Sequence, residues 1–264
     1  MSAPPKRPPI TLLIPAGLGV ALVVVPVLGL VQRAPWASLF DRLSSDSVME
    51  AIRVSLVVSV TAAIVATGLG LPLAWLLARA DGTVSRAIRA AVLVPMVLPP
   101  VVGGTALLFA LGRRGVVGRW LDGWFGITLP FTTTGAVIAA TFVALPFFVT
   151  TVEAALRQAG TELEEAAAVS GASPLTTFAT VTVPAARDAI LAGVALAWAR
   201  ALGEFGATIT FAGNLAGETR TLPLEIFLAL ESDPESAVAV SVVLLAVSLG
   251  VLVALRGRWF TRHG

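Results

Sequence analysis

Length, composition and charge predict a membrane protein that crosses the bilayer several times. The chain has 264 residues, of which 56% are hydrophobic and 13% are charged, whereas soluble domains carry roughly 25% charged residues. The mean hydropathy of +0.90 argues against a soluble domain. The formal net charge of only +2, spread over loops, argues against nucleic-acid binding, which needs a clustered basic face.

The residue types that are missing restrict the chemistry further. The sequence has no Cys, its one His is His263, and its one Lys is Lys6. The sequence therefore has no Cys for a thiolate site and too few His residues for a His-based metal site or a His-containing triad. It also has no Lys that could belong to a phosphate-binding loop. We expect no cofactor, no metal site and no enzymatic activity in this chain, so that any ATP hydrolysis belongs to a partner protein.

Six apolar segments are long enough to cross a membrane, which takes roughly 20 residues each. In chain order they are residues 10–31, 54–78, 90–112, the later part of 123–152, 189 to about 213, and 236–255. A cleaved signal peptide is the competing interpretation of the first segment, but its uncharged run is longer than such a peptide needs and no clean cleavage site follows it. The sequence predicts an all-α polytopic membrane protein with six transmembrane helices.

The Lys and Arg residues of the loops orient these spans. One side carries ten of them and the other seven, and the more basic side is normally cytoplasmic. We therefore expect both termini in the cytoplasm. Residues 1–9 and 257–264 are then cytoplasmic tails of a single transmembrane domain, residues 10–256, whose loop of about residues 157–188 also lies in the cytoplasm.

Two prolines interrupt the third predicted span. Pro99 and Pro100 follow Pro95 and precede Gly103 and Gly104. A break of this kind is tolerated inside a membrane where protein or a water-filled cavity covers the freed backbone groups. The pair is therefore a helix-break candidate, with two interpretations: an ordinary proline kink, or the kinked wall of a transport pathway.

The loop after the fourth span has the pattern of two short helices joined by a turn. Thr161 and Glu164 have the spacing of a capping box at the start of the first helix, and Gly171 is suited to end that helix. Ser173-Pro174 predicts the start of a second helix, which Pro184 is expected to end. The pattern fits either a docking element for a partner or a surface helix without one.

The fifth span is the only one that contains charges. Arg200 and Glu204 are four residues apart, so that they share a helix face and can form an ion pair. Charges inside a membrane usually face the bundle interior or a water-filled cavity. They either fix helix packing or belong to the pathway, and the pathway or gate candidates are Arg200, Gly203, Glu204, Gly206 and Asn214.

The spacing within the loop resembles the signature of ABC importer permeases. Glu165-Ala-Ala167 is followed by Gly171 after three residues, and by Val181, Val183 and Pro184 after nine more, with Val in place of the usual Ile and Leu. In that family this loop inserts into a cleft on a cytoplasmic ATPase subunit. The resemblance implies the following ATPase-coupling residues: Glu164, Glu165, Ala166, Ala167, Gly171 and Pro184.

Other segments resemble the molybdate and sulfate permeases of the oxyanion import family. Residues 97–104, 112–115 and 200–224 carry this resemblance, and residues 217–224 look closer to the molybdate branch. The resemblance implies a permease subunit that moves molybdate or tungstate by alternating access, with a sulfate or thiosulfate permease as the alternative. It also implies a homodimer in a bacterial cell membrane, two ATP-binding subunits below it, an oxyanion-binding protein outside, and lipid but no nucleic acid as further partners.

Two other functions remain open from the residues alone. An ion-coupled secondary transporter would be expected to place several ionisable groups near the membrane midplane, whereas only the fifth predicted span has charges here. A membrane scaffold without transport activity would explain a docking loop, but it would not explain spans rich in Gly and Pro.

Overall fold

The computed structural model describes residues 10–259, and this part of the chain is helical throughout. Its elements, in chain order, are α1 (Ile10–Gln32), α2 (Leu39–Leu43), α3 (Asp46–Arg79), α4 (Thr83–Val97), α5 (Pro100–Leu111), α6 (Gly118–Phe125), α7 (Thr133–Ala159), α8 (Glu162–Val169), α9 (Pro174–Thr177), a π-helical turn (Phe178–Thr182), α10 (Val183–Ala185), α11 (Arg187–Leu202), α12 (Gly206–Phe211), α13 (Leu222–Ser232) and α14 (Pro234–Trp259). The predicted tail of residues 1–9 and His263 lie outside the described residues.

Helices α3, α7 and α11 form the centre of the bundle, and small residues let them approach closely. Phe148 on α7 is fully buried between glycines of the other two helices. A Cβ atom on Gly70 of α3 would lie 2.6 Å from the ring of Phe148, and one on Gly193 of α11 would lie 3.1 Å from it. Inside a membrane the hydrophobic effect does not drive helices together. They associate instead through close van der Waals packing, which small residues permit.

The predicted number of spans agrees with the structure if bent helix pairs count as single crossings. Four helices, α1, α3, α7 and α14, are each long and apolar enough to cross a membrane. Two bent pairs raise the number to six: α4 with α5, and the stretch Pro174–Ala185 with α11. The prediction of an all-α protein with several membrane spans is therefore confirmed.

The third predicted span is a broken one, and its interpretation as an ordinary kink was wrong. Helix α4 begins at Thr83, before the apolar run, and its axis makes an angle of 118° with that of α5. Leu98 and Pro99 between them are extended, with ψ of 136° and 134°. A residue before proline is disfavoured in the helical region, so two successive prolines stop α4, and Pro100 then starts α5 at the position where proline is best tolerated.

Two predictions about the loop after the fourth span were also wrong. The capping box is absent, because Thr161 makes no side-chain bond to the first-turn amides of α8 and Glu164 points to another helix. Pro184 does not end its helix either. It lies near the start of α10, where a missing N–H is tolerated, and the helix axis turns instead at Ala186, by 76° before α11.

The bundle has two distinct ends. The end that we call the hairpin end holds the last residues of α3 and α7 together with α8, α9 and α10. The opposite end holds α6, α13 and the starts of α3, α7 and α14. There the amide of Leu222 donates to Ser55 at 2.6 Å, and Arg42 pairs with Asp233 at 2.8 Å.

Candidate functional site

The loop between α7 and α11 folds into a compact hairpin, residues 161–186, which we call the coupling hairpin. Gly171 has φ of +85°, its amide donates to Ala168, and the amide of Ala172 donates to Ala167, each at 3.0 Å. These two bonds are a Schellman motif, which needs a left-handed residue and so favours glycine. Ser173 then caps α9 by accepting from the amide of Thr176 at 3.2 Å. The predicted end of α8 and start of α9 are confirmed.

Glu164 anchors this hairpin to the transmembrane bundle. Arg79, the last residue of α3, donates Nε to Oε2 of Glu164 at 2.9 Å and Nη2 to Oε1 at 3.0 Å. Thr182 donates to the same carboxylate at 2.7 Å. Such a two-point pair between a guanidinium and a carboxylate fixes orientation as well as distance. The contact therefore holds α8 in a defined position against the end of α3.

Further bonds make this junction a meeting point of three helices. Trp75 of α3 donates its indole N–H to Glu164 at 3.3 Å, and its ring packs edge-on against Phe178 with 5.6 Å between centroids. Arg79 also donates Nη1 to the carbonyl of Leu156 on α7 at 3.0 Å. Movement of α8 relative to the bundle would therefore have to displace α3 and α7 or break these bonds.

The Glu164 carboxylate remains ionised well below neutral pH. Burial raises the pKa of this group, but the hydrogen bonds from Arg79 and Thr182 and the positive charge of Arg79 lower it by more. The pKa therefore lies below its ordinary value of 4.5. At the pH of a cell the ion pair is fully formed.

The outward side of the coupling hairpin is small and apolar. Glu164 and the partly buried Ala167 face the bundle, whereas Ala166 is exposed. Val169 is 90% exposed and Leu175 is 77% exposed. The carboxylate of Glu165, also exposed, accepts from Thr161 at 2.6 Å. Leu163 of α8 is also 62% exposed, so the hairpin presents three large apolar side chains, which suits close contact with another protein.

A second ionic cluster at the hairpin end was missed by the sequence analysis. Glu153 on α7 is buried and accepts from Arg89 of α4 at 2.8 Å and from Arg157 at 3.0 Å. Both arginines also donate to the carbonyl of Leu77 on α3, at 3.0 and 2.8 Å. The one sequence signal was the position of Glu153 four residues before Arg157, a favourable helix spacing. The cluster ties α3, α4 and α7 together beneath the coupling hairpin.

Arg200 and Glu204 form an ion pair at the break of the fifth predicted span. Nη2 of Arg200 lies 2.7 Å from Oε2 of Glu204, whose side chain is only 2% exposed. The two residues do not share one helix as predicted, because α11 ends at Leu202 and α12 begins at Gly206. The other carboxylate oxygen of Glu204 accepts from the amide of Ala207 at 2.8 Å, so that Glu204 also satisfies a free N–H of α12.

The two broken spans meet beside this ion pair. A cavity of about 120 Å³ lies between the α4–α5 break, Phe142 and Phe147 of α7, and Arg200. It is separate from a larger cavity of about 210 Å³ under the coupling hairpin. Pro95, Leu98 and Pro100 line the smaller cavity. The proline break and the charged break were two separate sequence signals, and the structure brings them to one place.

Glycines allow α5 and α12 to lie against each other there. A Cβ atom on Gly206 would lie 2.5 Å from Cβ of Pro100, and one on Gly104 would lie 2.8 Å from the carbonyl oxygen of Ala207. Gly203 is different, because the nearest atom to its Cβ position is 3.6 Å away. Of the predicted candidates, Gly206 is therefore a close-packing residue and Gly203 belongs to the break between α11 and α12.

Asn214 lies apart from the other gate candidates. It follows α12, next to Gly213 with φ of +75°, and its side-chain oxygen accepts from Nε of Arg220 at 2.9 Å. Arg220 in turn lies 3.5 Å from Glu225. These contacts place Asn214 in a loop at the opposite end of the bundle rather than at the helix break. Within residues 10–259, no group of three or more His, Cys, Asp or Glu side chains could hold a metal ion.

Broken apolar helices with a hairpin docked on one end suit a membrane permease. Residues 70–263 match the family described as "Binding-protein-dependent transport system inner membrane component". The chain belongs to this family of ABC importer permease subunits, and it is a multi-pass membrane protein.

Individual relatives agree with this assignment, and a solved structure has the same fold. The chain is 42% identical over 255 residues to the molybdenum transport system permease protein ModB of Mycobacterium tuberculosis, covering 97% of this chain and 96% of that protein. It is 36% identical over 238 residues to the sulfate transport system permease protein CysT of Salmonella typhimurium, covering 89% and 86%. A bacterial ABC transporter that imports the acidic polysaccharide alginate has the same fold, with a TM-score of 0.75 at 18% identity over 96% of both chains.

Proposed function

We propose that this chain is the permease subunit of an ATP-driven importer for molybdate or tungstate. The coupling hairpin is the observation that supports an ATP-driven permease. It is bonded to α3 and α7 through Glu164 and Arg79, and it keeps Val169 and Leu175 exposed. The 42% identity to a molybdenum permease supports the oxyanion. A sulfate permease is the second candidate, supported by the 36% identity to a sulfate permease.

In this proposal the chain works as a homodimer with two cytoplasmic ATP-binding subunits and an oxyanion-binding protein outside. The chain itself hydrolyses nothing, and selection of the anion rests largely on the binding protein. Both termini and the coupling hairpin lie in the cytoplasm of a bacterial cell, in keeping with the excess of basic residues on that side. Residues 10–256 form the single transmembrane domain, and residues 1–9 and 257–264 form tails.

The geometry supplies a route for the movement. When ATP closes the two ATPase subunits, each would move a coupling hairpin through contacts with its exposed face, which includes Glu165, Ala166 and Val169. The Glu164–Arg79 pair passes this movement to α3, and Pro184 lies on the helical stretch that joins the hairpin to α11. Helices α5 and α12, each separated from its neighbour by a break, would then change their packing beside Arg200. The nucleotide thereby shifts the population between inward-open and outward-open states through differential binding.

Reconstitution tests this proposal. The permease, its ATPase and a binding protein are assembled in vesicles, and ATPase activity and anion uptake are compared for binding protein loaded with molybdate, tungstate or sulfate. The proposal expects stimulation and uptake with molybdate or tungstate. Stimulation by sulfate alone would support the sulfate permease. Uptake that follows an ion gradient and ignores ATP would instead support a secondary transporter.

A further inference from the structure

The short helix α6 carries an apolar stripe that the rest of the protein leaves uncovered. Val117, Trp120, Leu121, Trp124 and Phe125 recur with the spacing of one helix face. In a helix that packs on a protein core this face would be buried. Here Trp120 is 49% exposed, Trp124 is 72% exposed and Phe125 is 67% exposed.

Helix α6 is fixed directly to the last turn of α5. The amide of Val116 donates to the carbonyl of Phe109 at 3.2 Å, and that of Val117 donates to Ala110 at 2.8 Å. A Cβ atom on Gly118 would overlap the carbonyl oxygens of Leu111 and Gly112, so that only glycine permits this approach. The position of α6 relative to the membrane is therefore set by where the apolar helix α5 ends.

The charges around α6 are arranged asymmetrically. Asp122, on the other side of the helix, accepts from Thr128 at 3.1 Å, and Thr128 accepts from Arg113 at 3.1 Å. Arg114 and Arg119 are exposed, and neither forms an ion pair with a carboxylate within residues 10–259. The guanidinium of Arg119 lies 5.1 Å from the Trp120 ring centroid. Two positive charges thus remain available beside an exposed aromatic stripe.

We propose that α6 is an interfacial anchor that binds phospholipids of the leaflet at this end of the bundle. The stripe would lie among the upper acyl chains, and Arg114 and Arg119 would bind lipid phosphates. Tryptophan is enriched at this depth because its ring is apolar and its N–H needs a polar partner. Helices with one apolar, aromatic face and basic residues on the other lie in the interface in this way.

Phospholipid fits this surface better than a protein does. A stable protein interface buries about 800 Å² on each partner, which a helix of eight residues does not provide by itself. A membrane, in contrast, necessarily surrounds this chain at the end of α5. The lipid also explains why Arg114 and Arg119 lie without a carboxylate partner, in the described part of the chain, on the less basic side of the predicted topology, because their charge faces phosphate there.

Two adjacent cysteine variants test this anchor in the assembled permease–ATPase complex. The sequence has no Cys, so Trp124→Cys and Gly123→Cys each give one labelling site per permease chain. Gly123 is the matched control: it is exposed on the other side of the same helix, and a Cβ atom there would contact nothing within 4 Å. Each variant is labelled with a bimane dye in vesicles that contain phosphatidylglycerol, with and without phospholipids brominated near the headgroup.

The anchor predicts that brominated lipid quenches the label at position 124 severalfold more strongly than the label at position 123. Replacing Arg114 and Arg119 together by Gln should reduce the quenching at position 124. Equal, weak quenching at both positions would overturn the proposal. A disulfide between the two copies of Trp124→Cys in the homodimer would also overturn it, because the stripe would then contact a second copy. Loss of quenching only when a loaded binding protein is added would overturn it as well, because the stripe would then contact that protein.

Discussion

Glu164 of α8 and Arg79 of α3 are joined by two parallel hydrogen bonds, at 2.9 and 3.0 Å, across 85 residues of sequence. Together with the bond from Trp75 to Glu164, this pair links the coupling hairpin to α3, one of the three central helices of the bundle. The neighbouring residue Glu165 faces outward, and its side chain accepts from Thr161 within the hairpin. Two adjacent carboxylates thus have opposite tasks in the proposed mechanism: one holds the hairpin to its own bundle, and the other is available to a partner.

Replacement of Glu164 should separate ATP hydrolysis from transport. Glu164→Gln loses the charge that Arg79 requires, at a cost of about 1.5–3 kcal/mol for hydrogen bonds to a charged group. We expect the variant to bind the ATPase subunit but to import less anion for each ATP hydrolysed. The measurement is the ratio of uptake to hydrolysis in reconstituted vesicles.

Glu162→Gln is the control for that experiment, because Glu162 lies exposed on the same helix. It removes an equal charge without touching Arg79. A ratio that falls equally in both variants would show that the net charge of α8 matters rather than the pair.

The same pair predicts a pH dependence of stability. The pKa of Glu164 is lowered in the folded protein, so its stabilising effect is fully present above the unfolded-state pKa and is lost as the pH falls through the folded-state value. The difference in Tm between the wild type and Glu164→Gln should be constant near neutral pH and shrink only below pH 4.5, the ordinary value. Thermal unfolding of the purified permease across this range measures it. A difference that widens on acidification would be incompatible with the ion pair.

Two glycines of the fifth predicted span should differ in their tolerance of alanine. Gly206→Ala would place a Cβ atom 2.5 Å from Cβ of Pro100, and overpacking of this kind typically costs about 1–3 kcal/mol. Gly203→Ala meets nothing closer than 3.6 Å and should be tolerated. We expect a lower Tm and reduced uptake for Gly206→Ala alone. Equal effects at both positions would argue against close contact of α5 with α12.

The buried ion pair should show strong coupling between its partners. Arg200→Ala leaves the carboxylate of Glu204, 2% exposed, without its partner, and breaking a buried pair costs about 3–5 kcal/mol. The double variant Arg200→Ala with Glu204→Gln should recover part of this loss, since a neutral Gln oxygen still accepts from the Ala207 amide. Chemical unfolding of Arg200→Ala, of Glu204→Gln and of the double variant measures the coupling. Additive losses would mean that the two charges act independently.

The sequence predicted the parts of this protein that depend on local signals. Hydropathy identified the spans, the Gly171 and Ser173-Pro174 patterns identified the turn of the coupling hairpin, and the Pro99-Pro100 pair identified a break. The 118° bend between α4 and α5 could not be predicted from the sequence, because it depends on how α5 packs on α12 through Gly206. The sequence also could not predict that Arg79 is the partner of Glu164. A capping box and a long-range pair with Arg79 use the same side chain, and only the tertiary structure decides between them.

Cross-linking from the tip of the coupling hairpin shows whether the hairpin contacts the ATPase subunit. Val169→Cys, at a position that is 90% exposed, is compared with Gly123→Cys at the opposite end of the bundle, in vesicles that contain the ATPase subunit. We expect a cross-link to the ATPase from position 169, with a yield that changes when ATP is added, and none from position 123. A cross-link from position 123 with none from position 169 would contradict this expectation.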